Sequence, residues 1–488
     1  MSIADATPDL EQVDRNDRAF VGHPKGLGYL GFTEGCERFS YYSMQTLLTL
    51  YMVNYLLVPG RMEKVIGLTW MQEHIYHGIS GQPLASAIFG TYTSLVYGTP
   101  IIGGIIADKW LGRNKTLILG GILMAIGHFL MAIESAFLLA LFALLLGVGA
   151  FKGNIATQVG ALYGPNDLRR AMAFQIFYIF INVSVIIAPL ISGTLGQKVG
   201  WHYGFGCAGV VMVIGLFIYL SGRRYLAPEQ ARSASSQAAV SEPLSRADWL
   251  CVAYLVILIP VLAISLLTNQ EIFNAYLVWG DQHFNLALPG WLAAIQFANP
   301  LPWGVAVIGL PNPLPSSWLI TLDAILSFSM LVAVALFWKW WSLKHREPDE
   351  ITKMIIGSGF TIAGGLCLFA AAAVTPDGGK VGLFWPFMFH LLNSIGFAHI
   401  LPVSLALFTK IAPKQIAATV IGLYYLAFFG ANKAVGYVGG LYSSLPTTTF
   451  WLIHVASAAV GLVAFVLFKL VVGKRMMGSP QDQAAALS

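Results

Sequence analysis

Glu34, Glu37 and Arg38 lie inside a stretch, 27–57, that contains no proline and no other charged side chain. A helix of that length crosses a bilayer. At 3.6 residues per turn, Glu34, Glu37, Arg38, Tyr41 and Gln45 share one face, and the acid and base at i, i+4 can partner each other. A lone charge in hydrocarbon is costly, so such residues carry protons or hold charged ligands; the plainer alternative is a structural ion pair. A further cation, Lys152, sits in Gly147-Val-Gly-Ala-Phe-Lys152-Gly-Asn154, more than a turn from any polar loop. To stay charged there it needs a carboxylate partner or a bound anion, unless it snorkels to an interface.

Two more acids fall in later apolar stretches, Glu271 in Asn269-Gln270-Glu271 and Asp323 in Ser317-Trp-Leu-Ile-Thr-Leu-Asp323. Asp323 is placed to partner Lys152 or Arg38, or to be neutral when buried. Tyr97 and Asn182 offer a phenol and an amide that hydrogen-bond a ligand without adding charge, or tie helices together. His390 and His399 are nine residues apart, which is neither an i, i+4 pair nor a metal-ligand spacing. No nucleophile has a base at helical spacing, and no His-Glu-x-x-His occurs.

The elements that hold these residues follow from composition. The chain has 488 residues, 57% hydrophobic and 10% charged, with a mean hydropathy of +0.69. That excludes a soluble globular domain and points to an all-α integral membrane protein. Helices are predicted at 27–57, 83–107, 114–133, 135–161, 171–195 and 203–221, then at 249–279, 316–340, 353–374, 384–410, 414–442 and 447–471. The organisation is a tail (1–26), a six-helix bundle (27–221), a linker rich in Ser, Ala and Arg (222–248), a second six-helix bundle (249–472) and a second tail (473–488). Lys and Arg number 21 in the tails and even-numbered connections against four in the odd-numbered ones. This bias places both termini in the cytoplasm, so the net charge of +5 reads as topology, not nucleic-acid binding. The four cysteines have no paired spacing and read as small apolar residues. The first 24 residues have no apolar core of a removable signal, so the first helix is expected to direct insertion. The connection at 281–316 is long, apolar and proline-rich, and reads as an outer lid or membrane-edge segment.

The spacing Glu-x-x-Glu-Arg-Phe-x-Tyr-Tyr at 34–42 resembles the first-helix signature of the proton-dependent oligopeptide transporters, a branch of the major facilitator superfamily. Gly-x-Gly-x-x-Lys-x-Asn at 147–154 resembles the family's fourth-helix pattern, and the turn at 103–115, with Asp108, Gly112 and Arg113, resembles the superfamily's loop motif. The resemblance implies a major facilitator fold of twelve helices in two bundles of six. It assigns Glu34 and Glu37 to proton coupling, Arg38 to the peptide carboxylate, Lys152 to peptide binding and proton coupling, and Tyr41, Tyr42, Tyr97 and Asn182 to the peptide pocket. Asp108 and Arg113 would stabilise the state closed to the cytoplasm. In the second half the pattern departs: Glu271 is one position from the family's seventh-helix acid, Asp323 stands where asparagine is usual, and Phe397 replaces the glutamate of a Gly-Glu pair, with Pro402 in register. The two extra helices that bacterial members often carry between the halves are missing.

The implied function is proton-coupled import of di- and tripeptides by alternating access, with Glu34, Glu37, Arg38 and Glu271 in proton coupling and no cofactor besides the proton. The chain would work as a monomer in a bacterial inner membrane and not as an enzyme. The loss of the acid at Phe397 motivates two alternatives: transport of a modified peptide or other small anion, and a peptide receptor that does not transport.

Overall fold

Within a bilayer core every backbone N–H and C=O must be bonded inside its own segment, so apolar stretches fold as helices. The computed structural model describes residues 17–164, 167–227, 244–298, 307–375 and 379–473. Most of the expected linker and both tails, with Arg15, Arg232, Lys474 and Arg475, lie outside these residues.

Among the described residues, twelve helical stretches follow one another. They are α1 (Lys25–Tyr51, continued by a π-helical turn Met52–Leu56), α2 (Gly81–Ile106), α3 (Arg113–Leu130), α4 (Phe137–Ala161), α5 (Arg169–Ala188) and α6 (Trp201–Gly222). Then come α7 (Arg246–Ser265, Leu267–Glu271 and Ala275–His283), α8 (Trp318–Trp341), α9 (Glu350–Val374), α10 (Phe384–Ile411), α11 (Ala417–Tyr424 and Leu426–Gly440) and α12 (Thr447–Phe468). Eight of them, α4 to α10 and α12, are long and apolar enough to cross a membrane on their own, with mean hydropathies of 1.7 to 2.5. The helix α1 carries four charged side chains, Lys25, Glu34, Glu37 and Arg38, and α11 is interrupted at Tyr425. Ile101, Leu139, Phe142, Phe217, Val463 and Leu467 point outward, as a lipid-facing surface requires. A short helix, Leu68–His74, in the first connection was not expected from sequence.

The helices group six and six: α1 packs on α5 and α6, and α4 on α2 and α3, while α9 packs on α10 and α12, and α7 on α11 and α12. Two seams join the groups, α2 with α11 and α5 with α8. Glycine makes the first seam possible, since a Cβ on Gly90 would lie 2.6 Å from the Gly436 nitrogen and 2.7 Å from the Asn432 carbonyl oxygen. At the second, Trp318 Nε1 donates to Thr194 Oγ1 (2.8 Å) and Thr321 Oγ1 to the Ile186 carbonyl (2.9 Å).

These contacts lie toward the end away from the chain termini. At that end Gln197 Nε2 donates to Ser316 Oγ (2.8 Å), which donates to Asp281 Oδ1 (2.8 Å), and Asn54 Nδ2 reaches Asp281 Oδ2 (3.4 Å). The apolar core crosses the six-and-six division. One cluster runs from α1 through the first bundle into Tyr276, Phe389, Phe450 and Trp451 of the second, whereas the second bundle has a separate cluster around Leu255, Leu407, Phe408 and Phe465. The two bundles thus close on each other at the end away from the termini.

Two helices expected to be continuous are broken. Breaking α7 at Ile272–Asn274 frees backbone amides, and the Glu271 carboxylate accepts one of them, from Ala275 N (3.1 Å). A carboxylate at a helix start is the favourable charge for that position. The second break, at Tyr425, divides α11. Beyond Pro189, α5 continues as π-helical turns, Pro189–Gly193 and Leu195–Val199. The proline-rich connection forms a helix, Gly290–Ala293, and an antiparallel pair of strands, Gln296–Ala298 and Val307–Gly309, with Gln296 opposite Gly309. Residues 299–306 lie outside the description.

Candidate functional site

The charged face of α1 turns inward. Arg38 Nε lies 2.7 Å from Glu34 Oε1 and 2.8 Å from Glu37 Oε2, so one guanidinium nitrogen is bracketed by two carboxylates. Glu37 is fully enclosed, and the side chains of Glu34 and Arg38 are 4% and 7% exposed. Glu34 Oε2 and Glu37 Oε1 have no hydrogen-bond partner among the described residues, which leaves them acceptor capacity. Close helix packing creates this enclosure: Gly35 lies against α5, where Ser184 Oγ donates to its carbonyl (2.8 Å).

Tyr41 packs its ring 5.7 Å from the Arg38 guanidinium and 5.2 Å from the Tyr42 ring. Tyr42 in turn approaches Phe273 of α7 (6.4 Å), linking the first bundle to the second. From α4, Lys152 Nζ sits 4.6 Å over the ring of Tyr97, and the same ring stacks on Phe428 of α11 at 4.9 Å. The helix that carries Lys152, α4, packs against α1. The structure therefore gathers Glu34, Glu37, Arg38, Tyr41, Tyr42, Tyr97 and Lys152 into one region. It holds two acids and two bases, charge-balanced when all are ionised.

Asn182 is not joined to that group by a hydrogen bond; its Nδ2 donates to the Tyr178 carbonyl one turn back on α5 (2.8 Å). Asp323 pairs with neither of the two cations that the sequence offered, Lys152 and Arg38. Its Oδ1 lies 2.8 Å from His390 Nδ1, and His390 Nε2 lies 2.8 Å from Tyr276 Oη. The reason is helix register: Asp323 and Ser327, one turn apart on α8, face His390 and Ser394, one turn apart on α10, with the two serine oxygens 3.0 Å apart.

Glu271 occupies the break in α7. Its Oε1 accepts from Asn274 Nδ2 (3.0 Å) and Ala275 N, and its Oε2 lies 3.5 Å from His454 Nε2 of α12, both side chains being fully enclosed. Asn274 Oδ1 receives Ser86 Oγ (3.0 Å) and Thr49 Oγ1 (3.4 Å), so Glu271 is tied through one side chain to α1 and α2. The sequence reading missed His454, Asn274 and Tyr276. An isolated histidine in the middle of an apolar helix was the available signal for His454.

The remaining candidates sit apart. Asp108 and Arg113 approach to 3.7 Å across Gly112, whose φ of +78° makes the turn, and both side chains are about half exposed or more. An exposed pair of this kind contributes little by itself. His399 accepts from Trp338 Nε1 on α8 (3.1 Å), and Phe397 packs on the second core cluster. Lys433 is exposed and donates to Thr91 Oγ1 (3.2 Å) beside the α2–α11 seam.

Comparison with known proteins places this arrangement in a group. A model of the POT family matches residues 114–266. The peptide transporter YePEPT of Yersinia enterocolitica is 31% identical over 96% of this chain and 98% of its own. A di-/tripeptide transporter of Lactococcus lactis subsp. cremoris is 28% identical over 96% and 99%. A crystal structure of a peptide transporter POT in complex with alafosfalin superposes with a TM-score of 0.75 at 25% identity, covering 94% of this chain and 96% of that one. Another, of a POT family transporter with a thioalcohol-conjugated peptide, has a TM-score of 0.74 at 20% identity and shares the fold. Similarity at that level along the full length of YePEPT settles the matter: the chain belongs to the POT family and has the twelve-helix major facilitator fold.

Proposed function

We propose that this protein is a proton-coupled symporter that imports di- and tripeptides by alternating access, with its site between the two bundles near mid-membrane. The observation that carries the reading is Arg38 held between Glu34 and Glu37, with Lys152 on the neighbouring helix α4. A proton taken up by Glu37 or Glu34 leaves one positive charge unmatched in an enclosed site. A peptide carboxylate, engaging Arg38, restores the balance. Loss of the proton returns Arg38 to its two acids and weakens the hold on the peptide. Tyr41, Tyr42, Tyr97 and Asn182 supply neutral hydrogen bonds and ring surface for the peptide backbone. Glu271 is the second acid in this cycle, because its carboxylate orders Asn274, and Asn274 draws in Thr49 and Ser86 from the other bundle.

The excess of Lys and Arg in the even-numbered connections supports cytoplasmic termini. In that orientation the sealed end is the outer one, and the conformation is inward-facing. Asp108 and Arg113 then lie at the open end, where they would hold the opposite, inward-closed state. The relatives' names and the bacterial sources of YePEPT and the Lactococcus protein support a peptide substrate and a bacterial inner membrane. The proposed working unit is a single chain, and the proposed coupling agent is the proton.

The test is competition. Labelled dialanine entering proteoliposomes should be displaced by unlabelled dialanine and much less by its carboxyl-amidated form, which cannot engage Arg38. Equal competition by the amidated peptide would remove Arg38 from carboxylate recognition. Displacement by a small organic anion, with no competition from any peptide, would replace the substrate class.

A further inference from the structure

The second bundle contains a hydrogen-bonded chain that the cycle above does not use. Asp323 of α8, His390 of α10 and Tyr276 of α7 are joined by two contacts of 2.8 Å. The His390 side chain is fully enclosed, and the Asp323 side chain is 12% exposed. Around Tyr276 stand Phe389, Phe284 and Trp451, with ring centroids at 5.1, 5.8 and 6.3 Å.

We propose that Asp323, His390 and Tyr276 form a further proton-binding element, separate from the acids of that cycle and filled and emptied once in each transport cycle. This rests on the symport reading above. When the imidazole is neutral, its Nδ1–H donates to the carboxylate and Nε2 accepts from the tyrosine hydroxyl. One added proton bonds to Nε2, after which both nitrogens donate and the hydroxyl turns to accept. No other bond changes, and the Asp–His pair goes from one net negative charge to none. An uncompensated charge costs much more in a dry, aromatic enclosure than beside water. The proton is therefore held while the bundles seal the group and leaves Nε2 once the rearranged bundles admit water, which restores the starting tautomer.

The groups around the histidine allow this. From α8 it meets Asp323, and from α7 it meets Tyr276. On α9, residues 361–374 include one ionisable side chain, Cys367. The histidine of α12, His454, is taken up by Glu271. The aspartate is thus the one carboxylate bonded to His390 among the described residues.

The experiment is the accumulation ratio of dialanine at static head in proteoliposomes, with the membrane potential clamped at zero. Each coupled proton contributes about 1.4 kcal/mol per unit of pH gradient, which supports about a tenfold concentration ratio. Asp323→Asn and His390→Gln should each lower the wild-type ratio about tenfold per unit of gradient while leaving exchange of internal for external dialanine. A merely structural role slows the approach to static head without changing the ratio. Equal ratios in wild type and either active variant would overturn the proposal. A wild type that accumulates nothing would instead remove the symport reading beneath it. Should both variants be inactive, nitrogen-15 spectra of histidine-labelled wild-type protein decide, with the His390 signal identified by its loss in His390→Gln. A signal that changes protonation between about pH 5 and 8 supports the element, and one that stays constant overturns it.

Discussion

Proteoliposomes carrying the Glu37→Gln variant are expected to exchange dialanine across the membrane yet to lose the part of its accumulation that the Glu37 proton drives under an inward proton gradient. Glutamine keeps the shape of the side chain and one acceptor oxygen for Arg38, so the helix packing of α1 survives. It cannot take up a proton, and it removes one of the two carboxylates that bracket the guanidinium. Arg38 and Lys152 then face Glu34 alone, and the site is permanently in the charge state that the wild type reaches only when protonated. The peptide carboxylate still has a partner, which preserves exchange. Binding no longer depends on the proton, which removes the coupling. Across a one-unit gradient, the part of the ratio due to this proton, about tenfold, should fall to about one. Undiminished accumulation by Glu37→Gln would shift the coupling to Glu34 or Glu271.

Gly90→Leu should abolish both uptake and exchange in a protein that still folds and inserts. In the sealed conformation a Cβ at this position lies against the Gly436 backbone and the Asn432 carbonyl, neither of which can swing aside as a side-chain tip can. The bundles each keep their own packing, so the clash is confined to the seam that must close in every cycle. Even a conservative penalty of about 3 kcal/mol, the upper end for overpacking, lowers the population of the closed state about a hundredfold. A control lies on the same helix: a Cβ on Gly104 meets nothing within 4 Å, so Gly104→Ala should transport normally. Normal transport by Gly90→Leu would mean that the α2–α11 seam does not need to close as described.

What the sequence made legible and what it did not differ in range. Glu34 and Arg38 are four residues apart on one helix, so their pairing follows from helical geometry alone. The twelve helices follow from runs of apolar residues, and α1 was recognisable although its charges depress its hydropathy. The break in α7 was not legible, because it depends on Glu271 accepting the amide of Ala275 and on Asn274 meeting Thr49 and Ser86 from distant parts of the chain. The partner of Asp323 was left open by the sequence for the same reason. Its choice of His390 over Lys152 or Arg38 is set by how α8 packs on α10, a contact 67 residues apart that spacing does not encode. Asn182 is visible in the sequence as an amide in an apolar helix, whereas its local bond to the Tyr178 carbonyl is visible only in three dimensions.

The central claim is that proton binding in the enclosed acid–base cluster drives peptide uptake. The most direct measurement follows labelled dialanine into proteoliposomes, with and without an inward proton gradient, and again after a proton ionophore collapses that gradient. The account predicts accumulation above the external concentration only while the gradient stands. Equilibration to the same level in all three conditions would contradict it.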